Sequence, residues 1–435
     1  MIADVLRPEF LRAHLEGVRD AVAAGVLDDP SGWTAAGAVA HDHEGDVPFL
    51  ARDPVAAMLQ TVVEQRLREH HPDAIRDARP APGDLVAHGA QPHAAEALLD
   101  PRRFSHDDPG WVIEIGKALL ERLARGNHPF NPRPAQVRIA DDARVVLVGD
   151  WGTGLPRARA VAAHMAAEVG EALAAGREAH VIHLGDVYYS GDAREYDRHV
   201  LDAGLWPVDA AGAAAGVTSW SLNGNHDMYS GGWGYFDHLL ADERFAAQRS
   251  PDGRGTSFFR IASPSWDLVG LDTSWDRRPL RLGHAAVLHD PQAAFVERVA
   301  RESERRLMLL SHHQLVSVYD PADIADELPT KLGGVLAGGR VAAWFWGHEH
   351  RCMGYAPTAG VAVPRCLGHG GVPVVSHPLD APVPPPGLWE ERGFLDAAGR
   401  HWGRFGFAVL DLDGPRIDVR YVDDLGERTR TERIA

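Results

Sequence analysis

The chain has 435 residues, of which 45% are hydrophobic and 24% are charged, a composition typical of globular proteins. This length exceeds one ordinary hydrophobic core, so we expect one large domain with an extension, or two domains. The 44 Lys and Arg residues against 61 Asp and Glu give a formal net charge of −17. Because the basic residues form no cluster, we expect no nucleic-acid partner.

Two further features bear on redox chemistry and membranes. Cys352 and Cys366 are the only cysteines, too few for a disulfide framework or a thiolate metal cage. The first residues lack a basic segment followed by an apolar one, and no run of about 18 apolar residues occurs. We therefore expect a cytoplasmic protein without a membrane partner; the oligomeric state is left open.

Residues 1–136 are predicted to form a helical N-terminal extension of unknown role. Three segments carry apolar residues at the three- and four-residue spacing typical of amphipathic helices, over residues 10–26, 54–70 and 111–125. A proline-rich segment at 128–134 follows the third, and we place a domain boundary there. Residues 137–435 are then the second and larger domain.

From residue 137 the pattern changes to alternating strands and helices. Strands are predicted over 144–148, 179–184 and 218–222, with helices over 156–175 and 193–203 between them, as in parallel βαβ units. Later residues are richer in strands, predicted over 257–262, 266–271, 307–310, 341–346, 405–412 and 416–421, with helices over 291–304 and 324–336. This predicts an α/β fold of two packed mixed β-sheets flanked by helices.

Five of the apolar runs end in side chains that carry oxygen or imidazole groups. In chain order the five segments are Gly149-Asp150-Trp151-Gly152, Gly185-Asp186-Val187-Tyr188-Tyr189, Gly224-Asn225-His226-Asp227, Leu309-Leu310-Ser311-His312 and Gly347-His348-Glu349-His350. Since the carboxyl ends of strands in open α/β sheets collect binding groups, we expect these side chains to form one site.

Taken in this order, the five motifs resemble those of the calcineurin-like metallophosphoesterase superfamily, and most closely its purple acid phosphatase branch. The resemblance covers roughly residues 140–371, whereas the first 136 residues lie outside it. It implies a metallophosphoesterase-like sandwich for residues 137–435. It also implies a dinuclear-metal hydrolase of phosphate esters, in which a metal-bound hydroxide attacks phosphorus in line.

The resemblance also implies which residues bind the two metal ions. The first ion would be held by Asp150, Asp186, Tyr189 and His350, and the second by Asp186, Asn225, His312 and His348. Asp186 would then bridge the two ions. Carboxylate, phenolate, amide and imidazole ligands suit iron, manganese and zinc.

Two linked differences indicate the purple acid phosphatase branch, because a ligand is missing at one position and another is gained elsewhere. Most of the superfamily has a histidine ligand two residues after the first aspartate, where this chain has Gly152. Tyr189 stands where that branch places its phenolate ligand. A phenolate favours Fe(III) at the first position, with Fe(II), Zn or Mn at the second. His226 is expected to face the leaving oxygen as an acid or hydrogen-bond donor, with Asp227 orienting its ring.

Three functions are compatible with these motifs. A phosphomonoesterase is favoured, and a phosphodiesterase acting on nucleotide-like or lipid-like diesters is the first alternative. The second alternative is a non-catalytic binding scaffold of the same fold. All seven ligand positions are intact, which argues against a scaffold, because a buried cluster of charges is costly to keep without a function. Gln314 departs from the proline usual in relatives and leaves the choice of substrate open.

Overall fold

The computed structural model describes residues 104, 118, 121–122, 125–202, 204–275, 286–319, 327–397 and 400–434. The helices predicted over 10–26 and 54–70 lie outside this part of the chain. Within the third predicted helix, the described residues Ala118, Glu121, Arg122 and Arg125 are helical. Among the described residues, no helix combines the length and apolar character needed to cross a membrane.

One sheet has six strands in the described part of the chain. Three of them are parallel neighbours near the start of the domain, namely β2 (Arg144–Val148), β3 (Ala179–His183) and β4 (Thr218–Ser221). On the other side of β2 lie three antiparallel strands, namely β14 (Gly406–Asp413), β15 (Arg416–Asp423) and β16 (Arg428–Ile434). The sheet order is β16-β15-β14-β2-β3-β4, so the predicted parallel βαβ units are confirmed.

The second described sheet has eight strands in the order β1-β5-β6-β7-β8-β10-β9-β11. Its members are β1 (Ala135–Arg138), β5 (Phe259–Ala262), β6 (Trp266–Leu271), β7 (Arg306–Ser311), β8 (Val341–Trp346), β9 (Cys352–Tyr355), β10 (Val361–Leu367) and β11 (Gly387–Glu390). Strands β6, β7, β8 and β10 are parallel. Strand β5 is antiparallel to β6 but parallel to β1, and β9 is antiparallel to both β10 and β11. A separate hairpin pairs β12 (Phe394–Ala397) with β13 (Arg400–Gly403).

The main core lies between the two sheets. Val145 and Ile182 of the six-stranded sheet share one buried cluster with Leu268, Met308 and Phe345 of the eight-stranded sheet. All five residues of β2 are buried, as expected for a central parallel strand covered on both faces. The predicted class, two packed mixed sheets in an α/β fold, is confirmed.

Helices cover the outer faces of both sheets. Helix α1 (Pro156–Ala174) begins with proline at its first turn and buries Val161 and Met165 against the six-stranded sheet. The later described helices are α2 (Ala193–Tyr196), α3 (Ala210–Ala214), α4 (Asp290–Glu302), α5 (Glu327–Lys331) and α6 (Gly333–Ala337). Helix α4 packs on the eight-stranded sheet.

Several predicted elements differ from the structure in their bounds. The helix predicted over 193–203 consists of α2 followed by a π-helical turn, Asp197–Leu201. The described part of the helix predicted over 324–336 is divided into α5 and α6. Strand β1 begins at Ala135, ahead of the predicted boundary at residue 137, and pairs in parallel with β5. The chain is therefore tied to the large domain before that boundary.

Candidate metal centre

The five motifs meet at one end of the sandwich. Asp150, Asp186 and Asn225 lie in the loops after β2, β3 and β4 of the six-stranded sheet, whereas His312 and His348 follow β7 and β8 of the eight-stranded sheet. Parallel strands bring their carboxyl ends to the same edge of a sheet. Packing the two sheets face to face then places both sets of loops side by side.

Two groups of side chains have the arrangement that a metal ion needs. The ligand atoms of Asp186, His312 and His348 lie within 4.8 Å of one another, and so do those of Asp150, Asp186 and His350. Asp186 belongs to both groups. These two groups correspond to the two ligand sets that the resemblance implies, with the same shared carboxylate. The assignment of these residues as ligands remains a prediction.

The imidazoles of the first group bring ring nitrogens close together. His312 donates from Nδ1 to the carbonyl of Leu184 at 3.0 Å, so Nε2 is the atom that a metal ion would contact. That Nε2 lies 3.2 Å from Nδ1 of His348 and 3.1 Å from Oδ1 of Asn225. A cation is the group that would satisfy all these atoms at once, so the donor set fits a bound metal ion.

The buried carboxylates give this end of the sandwich a negative potential. Burial by itself would lower the pKa of His312, yet Asp186 and Asp150 raise that pKa to about 9. In turn, burial would raise the pKa of Asp186, but His312 and His226 hold it well below the ordinary value. Carboxylates that remain ionised in a buried site attract cations.

The phenol beside the carboxylates is that of Tyr188. Its hydroxyl lies 2.9 Å from Oδ1 of Asp150, 3.0 Å from Oδ2 of Asp186 and 3.0 Å from Nε2 of His350. Burial and the two carboxylates raise the pKa of Tyr188 well above its ordinary value. Ionising this phenol therefore requires cations in the cluster.

The sequence prediction assigned this role to Tyr189, whose neighbours are different. The ring centroid of Tyr189 lies 4.4 Å from that of Phe104, and its backbone N–H donates to the carboxylate of Glu195. The Tyr188 hydroxyl is thus the phenol that lies beside the carboxylates, and the assignment of Tyr189 as a ligand stays a prediction. Both tyrosines lie in a turn after β3, where no strand alternation determines which of the two rings faces the carboxylates.

His226 lies at the edge of the cluster with a fixed ring orientation. Nδ1 is 2.7 Å from the carbonyl oxygen of Tyr189, and Nε2 is 3.8 Å from Oδ2 of Asp186. The ring centroid lies 4.7 Å from that of Tyr188 and 4.6 Å from that of Tyr229. Because a carbonyl can only accept, Nδ1 carries the proton, and Nε2 faces the cluster.

Asp227 was predicted to orient the ring of His226, and its carboxylate also has a place between two loops. Its carboxylate accepts hydrogen bonds from the backbone N–H groups of Asp186 at 2.8 Å, Val187 at 3.1 Å and Gly224 at 2.6 Å, and from the hydroxyl of Tyr196. With its acceptor sites used in this way, Asp227 joins the loops after β3 and β4. The hydrogen bond at Nδ1 of His226 is made to the carbonyl of Tyr189, and the orienting role of Asp227 stays a prediction.

The backbone at the site adopts conformations that few residues tolerate. Four of the predicted ligands have left-handed φ angles, namely Asp150 (55°), Asp186 (74°), His348 (71°) and His350 (50°). Each such residue costs on the order of 1–3 kcal/mol and persists only where the surroundings determine it. Gly224 illustrates how tightly they are packed, since a Cβ there would overlap the carboxylate of Asp186.

Sequence reasoning missed Tyr188, Tyr196 and Glu195 as residues that support the site. Glu195 accepts from the backbone N–H groups of Tyr189, Ser190 and Asp192. The spacing of Asp192 and Glu195, which form a capping box at the start of α2, was the available signal for Glu195. Tyr196 follows in the same turn and carried no signal of its own.

The fold and the shared-carboxylate cluster are compatible with a metal-dependent phosphoester hydrolase. Residues 143–352 match the family model described as calcineurin-like phosphoesterase, and this part of the chain is a calcineurin-like metallophosphoesterase domain. No curated protein matches the chain significantly.

Three solved structures match the chain at low identity. GAP50, the anchor in the inner membrane complex of Plasmodium, is 12% identical over 67% of this chain and 88% of its own, with a TM-score of 0.45. A conserved uncharacterized protein of Streptococcus pneumoniae TIGR4, a predicted phosphoesterase, is 11% identical over 67% and 96%, with a TM-score of 0.28. The 5'-nucleotidase of Candida albicans SC5314 is 12% identical over 68% and 53%, with a TM-score of 0.35.

Proposed function

We propose that the protein hydrolyses phosphate monoesters at a centre that binds two metal ions. The observation that carries this proposal is the pair of ligand groups that share Asp186, each with its atoms within 4.8 Å of one another. One shared carboxylate between two sets of ligands is the arrangement that holds two cations close together. Such a pair suits the in-line displacement of a phosphate ester.

The proposed ligands follow from the geometry of the two groups. One ion would be held by Asp150, Asp186, His350 and a phenol, for which the geometry favours Tyr188 over Tyr189. The other would be held by Asp186, Asn225, His312 and His348. The phenol favours Fe(III) in the first position, with Fe(II), Zn or Mn in the second. Bound there, the ions would supply a nucleophile at neutral pH and neutralise charge on the phosphoryl oxygens.

Among the chain's own residues, His226 is proposed to assist the departure of the leaving group. Its Nδ1–H is held by the carbonyl of Tyr189, and its Nε2 is directed to the side of the cluster where Asp186 lies. From this position Nε2 of the imidazolium form, which carries a proton on each ring nitrogen, can donate its proton to the oxygen that leaves phosphorus. The rings of Tyr188 and Tyr229 restrict the imidazole and keep that direction constant.

A monoester is preferred to a diester on the ground of charge. With Fe(III) and a divalent ion, the anionic groups of Asp150, Asp186 and the phenolate leave the centre positively charged. Such a centre attracts the dianion of a monoester more strongly than the monoanion of a diester. No described residue argues separately for a diester, so that activity is an outcome of the experiment below.

The experiment pairs metal analysis with two esters of the same leaving group on one sample. Purified protein is assayed with p-nitrophenyl phosphate and with bis(p-nitrophenyl) phosphate, and bound iron, zinc and manganese are measured. We expect bound transition metal and a kcat/KM for the monoester at least about tenfold higher, a difference of about 1.4 kcal/mol in activation free energy. A preference for the diester would indicate a phosphodiesterase. Protein that neither contains nor takes up metal would indicate a scaffold.

A further inference from the structure

We propose that Phe104 is a positioning residue of the metal centre, although it lies outside residues 143–352 that match the family. Its ring holds Tyr189 so that the carbonyl of Tyr189 directs the imidazole of His226. This inference rests on the proposed function, because the imidazole matters only if His226 assists the leaving group. It gives a residue that precedes the family domain a positioning role in the reaction.

Phe104 occupies a buried position with a restricted backbone conformation. It is fully buried, at 0% exposure, and belongs to a small cluster with Tyr188, Tyr189 and Val372 that is distinct from the main cores. Its φ is 66°, a left-handed conformation that bulky residues rarely adopt. A buried aromatic residue in this conformation is held there by its surroundings.

The ring of Phe104 packs against three other aromatic rings. The ring centroid lies 4.4 Å from that of Tyr189 at an interplanar angle of 31°. Tyr188 and His199 meet the same ring edge-on, with centroids at 6.3 Å and 5.8 Å. His199 can come this close to the loop after β2 because residue 154 is glycine, where a Cβ would lie 2.8 Å from the His199 ring. The ring of Phe104 is therefore held by several aromatic rings and in turn packs on the ring of Tyr189.

Tyr189 connects the ring of Phe104 to the imidazole of His226. Tyr189 contacts Phe104 through its ring and His226 through its carbonyl, which accepts from Nδ1 at 2.7 Å. Its backbone N–H is held on the other side by the carboxylate of Glu195. The N–H of Ser190, which shares a peptide plane with that carbonyl, also donates to Glu195 at 2.9 Å. Glu195 thus holds the backbone on both sides of Tyr189, and Phe104 holds its ring. Removal of the Phe104 ring leaves a void that the Tyr189 ring can enter, which turns the carbonyl away from Nδ1.

The chemical consequence falls on the leaving group. When the bond from phosphorus to the leaving oxygen breaks, its electron pair goes to that oxygen, while an incoming water oxygen forms the new bond to phosphorus. An alkoxide needs a proton at this moment, and Nε2 of His226 in its imidazolium form would supply it, leaving a neutral ring protonated on Nδ1, whereas p-nitrophenolate leaves readily without a proton. Misdirection of His226 should therefore slow poor leaving groups selectively, which a general loss of stability would not do.

The experiment compares Phe104→Ala and Phe104→Leu with the wild-type protein on p-nitrophenyl phosphate and on ethyl phosphate. Phe245→Ala is the matched control, because Phe245 is also fully buried but packs against Trp206 in the core beside α1. We expect Phe104→Ala to lower kcat for ethyl phosphate on the order of 10–100-fold more than for p-nitrophenyl phosphate. Phe104→Leu should give a smaller selective loss, and Phe245→Ala none. In a His226→Ala background, Phe104→Ala should add no further selectivity.

A second readout does not depend on activity. In protein stripped of metal with a chelator, the Nδ1 proton of His226 should give an NMR signal that is absent in His226→Ala. We expect that signal to exchange faster with solvent in Phe104→Ala than in Phe245→Ala. Unchanged exchange together with an unchanged ratio of the two ester rates would overturn the inference, and if Phe104→Ala does not fold, the same results in Phe104→Leu would do so. Wild-type protein that binds metal but cleaves neither ester would instead overturn the proposed function, and the inference with it.

Discussion

Nε2 of His312 lies 3.4 Å from Oδ2 of Asp186, although the two residues follow strands of different sheets. Asp186 comes after β3 in the six-stranded sheet, and His312 comes directly after β7 in the eight-stranded sheet. The contact exists only because the two sheets pack face to face with these strand ends on one side. The geometry of the metal centre therefore depends on how the two sheets pack.

The shared carboxylate predicts unequal effects on metal content. Asp186→Asn should abolish binding at both positions, because Asp186 belongs to both ligand groups, whereas His350→Ala should impair only the group that contains Asp150. Bound metal per chain is measured by elemental analysis after dialysis against limiting metal. Equal losses in the two variants would contradict the assignment of Asp186 as the bridging ligand.

The adjacent tyrosines allow a matched pair of variants. Tyr188→Phe should eliminate any visible absorption band due to a phenolate bound to Fe(III), because the Tyr188 hydroxyl lies among Asp150, Asp186 and His350. Tyr189→Phe should retain the band, since the ring of Tyr189 packs on Phe104. The absorption spectrum and iron content of both proteins decide between them. Loss of the band in Tyr189→Phe alone would restore the original sequence prediction.

The loops after β3 and β4 are so close together that substitution of Gly224 should strongly reduce metal binding. Gly224→Ala should prevent metal binding, because the added Cβ would overlap the carboxylate of Asp186. The control is Gly170→Ala in α1, where a Cβ meets nothing within 4 Å. That change should stabilise the protein by about 0.4–1 kcal/mol through the unfolded chain. Metal content and urea unfolding of both variants test the contrast, which fails if Gly224→Ala binds metal normally.

Burial of His180 predicts a dependence of stability on pH. Burial lowers the pKa of His180 from 6.5 to about 4, although Glu178, 3.6 Å away, acts in the opposite direction. Between these two pH values the unfolded chain binds the proton and the folded chain does not. Stability is therefore lost as pH falls from 6.5 towards 4, by up to about 3 kcal/mol from this residue.

Substitution of His180 isolates this contribution. The unfolding free energies of wild type and His180→Gln are measured in urea at pH 7.5, 5.5 and 4.5, both without metal. The unfolding free energy of wild type should fall more than that of His180→Gln as pH falls from 7.5 to 4.5. The difference between the two proteins at pH 7.5 is the reference for this comparison. Parallel curves for the two proteins would show that His180 does not carry the effect.

Local sequence patterns were sufficient for most of the elements that build the domain. The strand predicted over 144–148 matches β2 (Arg144–Val148), and those over 266–271 and 341–346 match β6 (Trp266–Leu271) and β8 (Val341–Trp346). These are continuous apolar runs bounded by turn residues, a pattern that depends only on neighbours in sequence. The helix predicted over 193–203 was less accurate, since its second half forms a π-helical turn.

The sequence alone was enough to predict the two-sheet α/β class and the group of polar strand ends, because apolar periodicity and residue chemistry are local properties. The tertiary structure decided which atoms meet. It placed Tyr188 rather than Tyr189 beside Asp150, used Asp227 to join two backbone loops, and brought Phe104 against Tyr189. Such contacts join residues far apart in the chain or distinguish neighbours within a turn, and only the packing of the loops settles them.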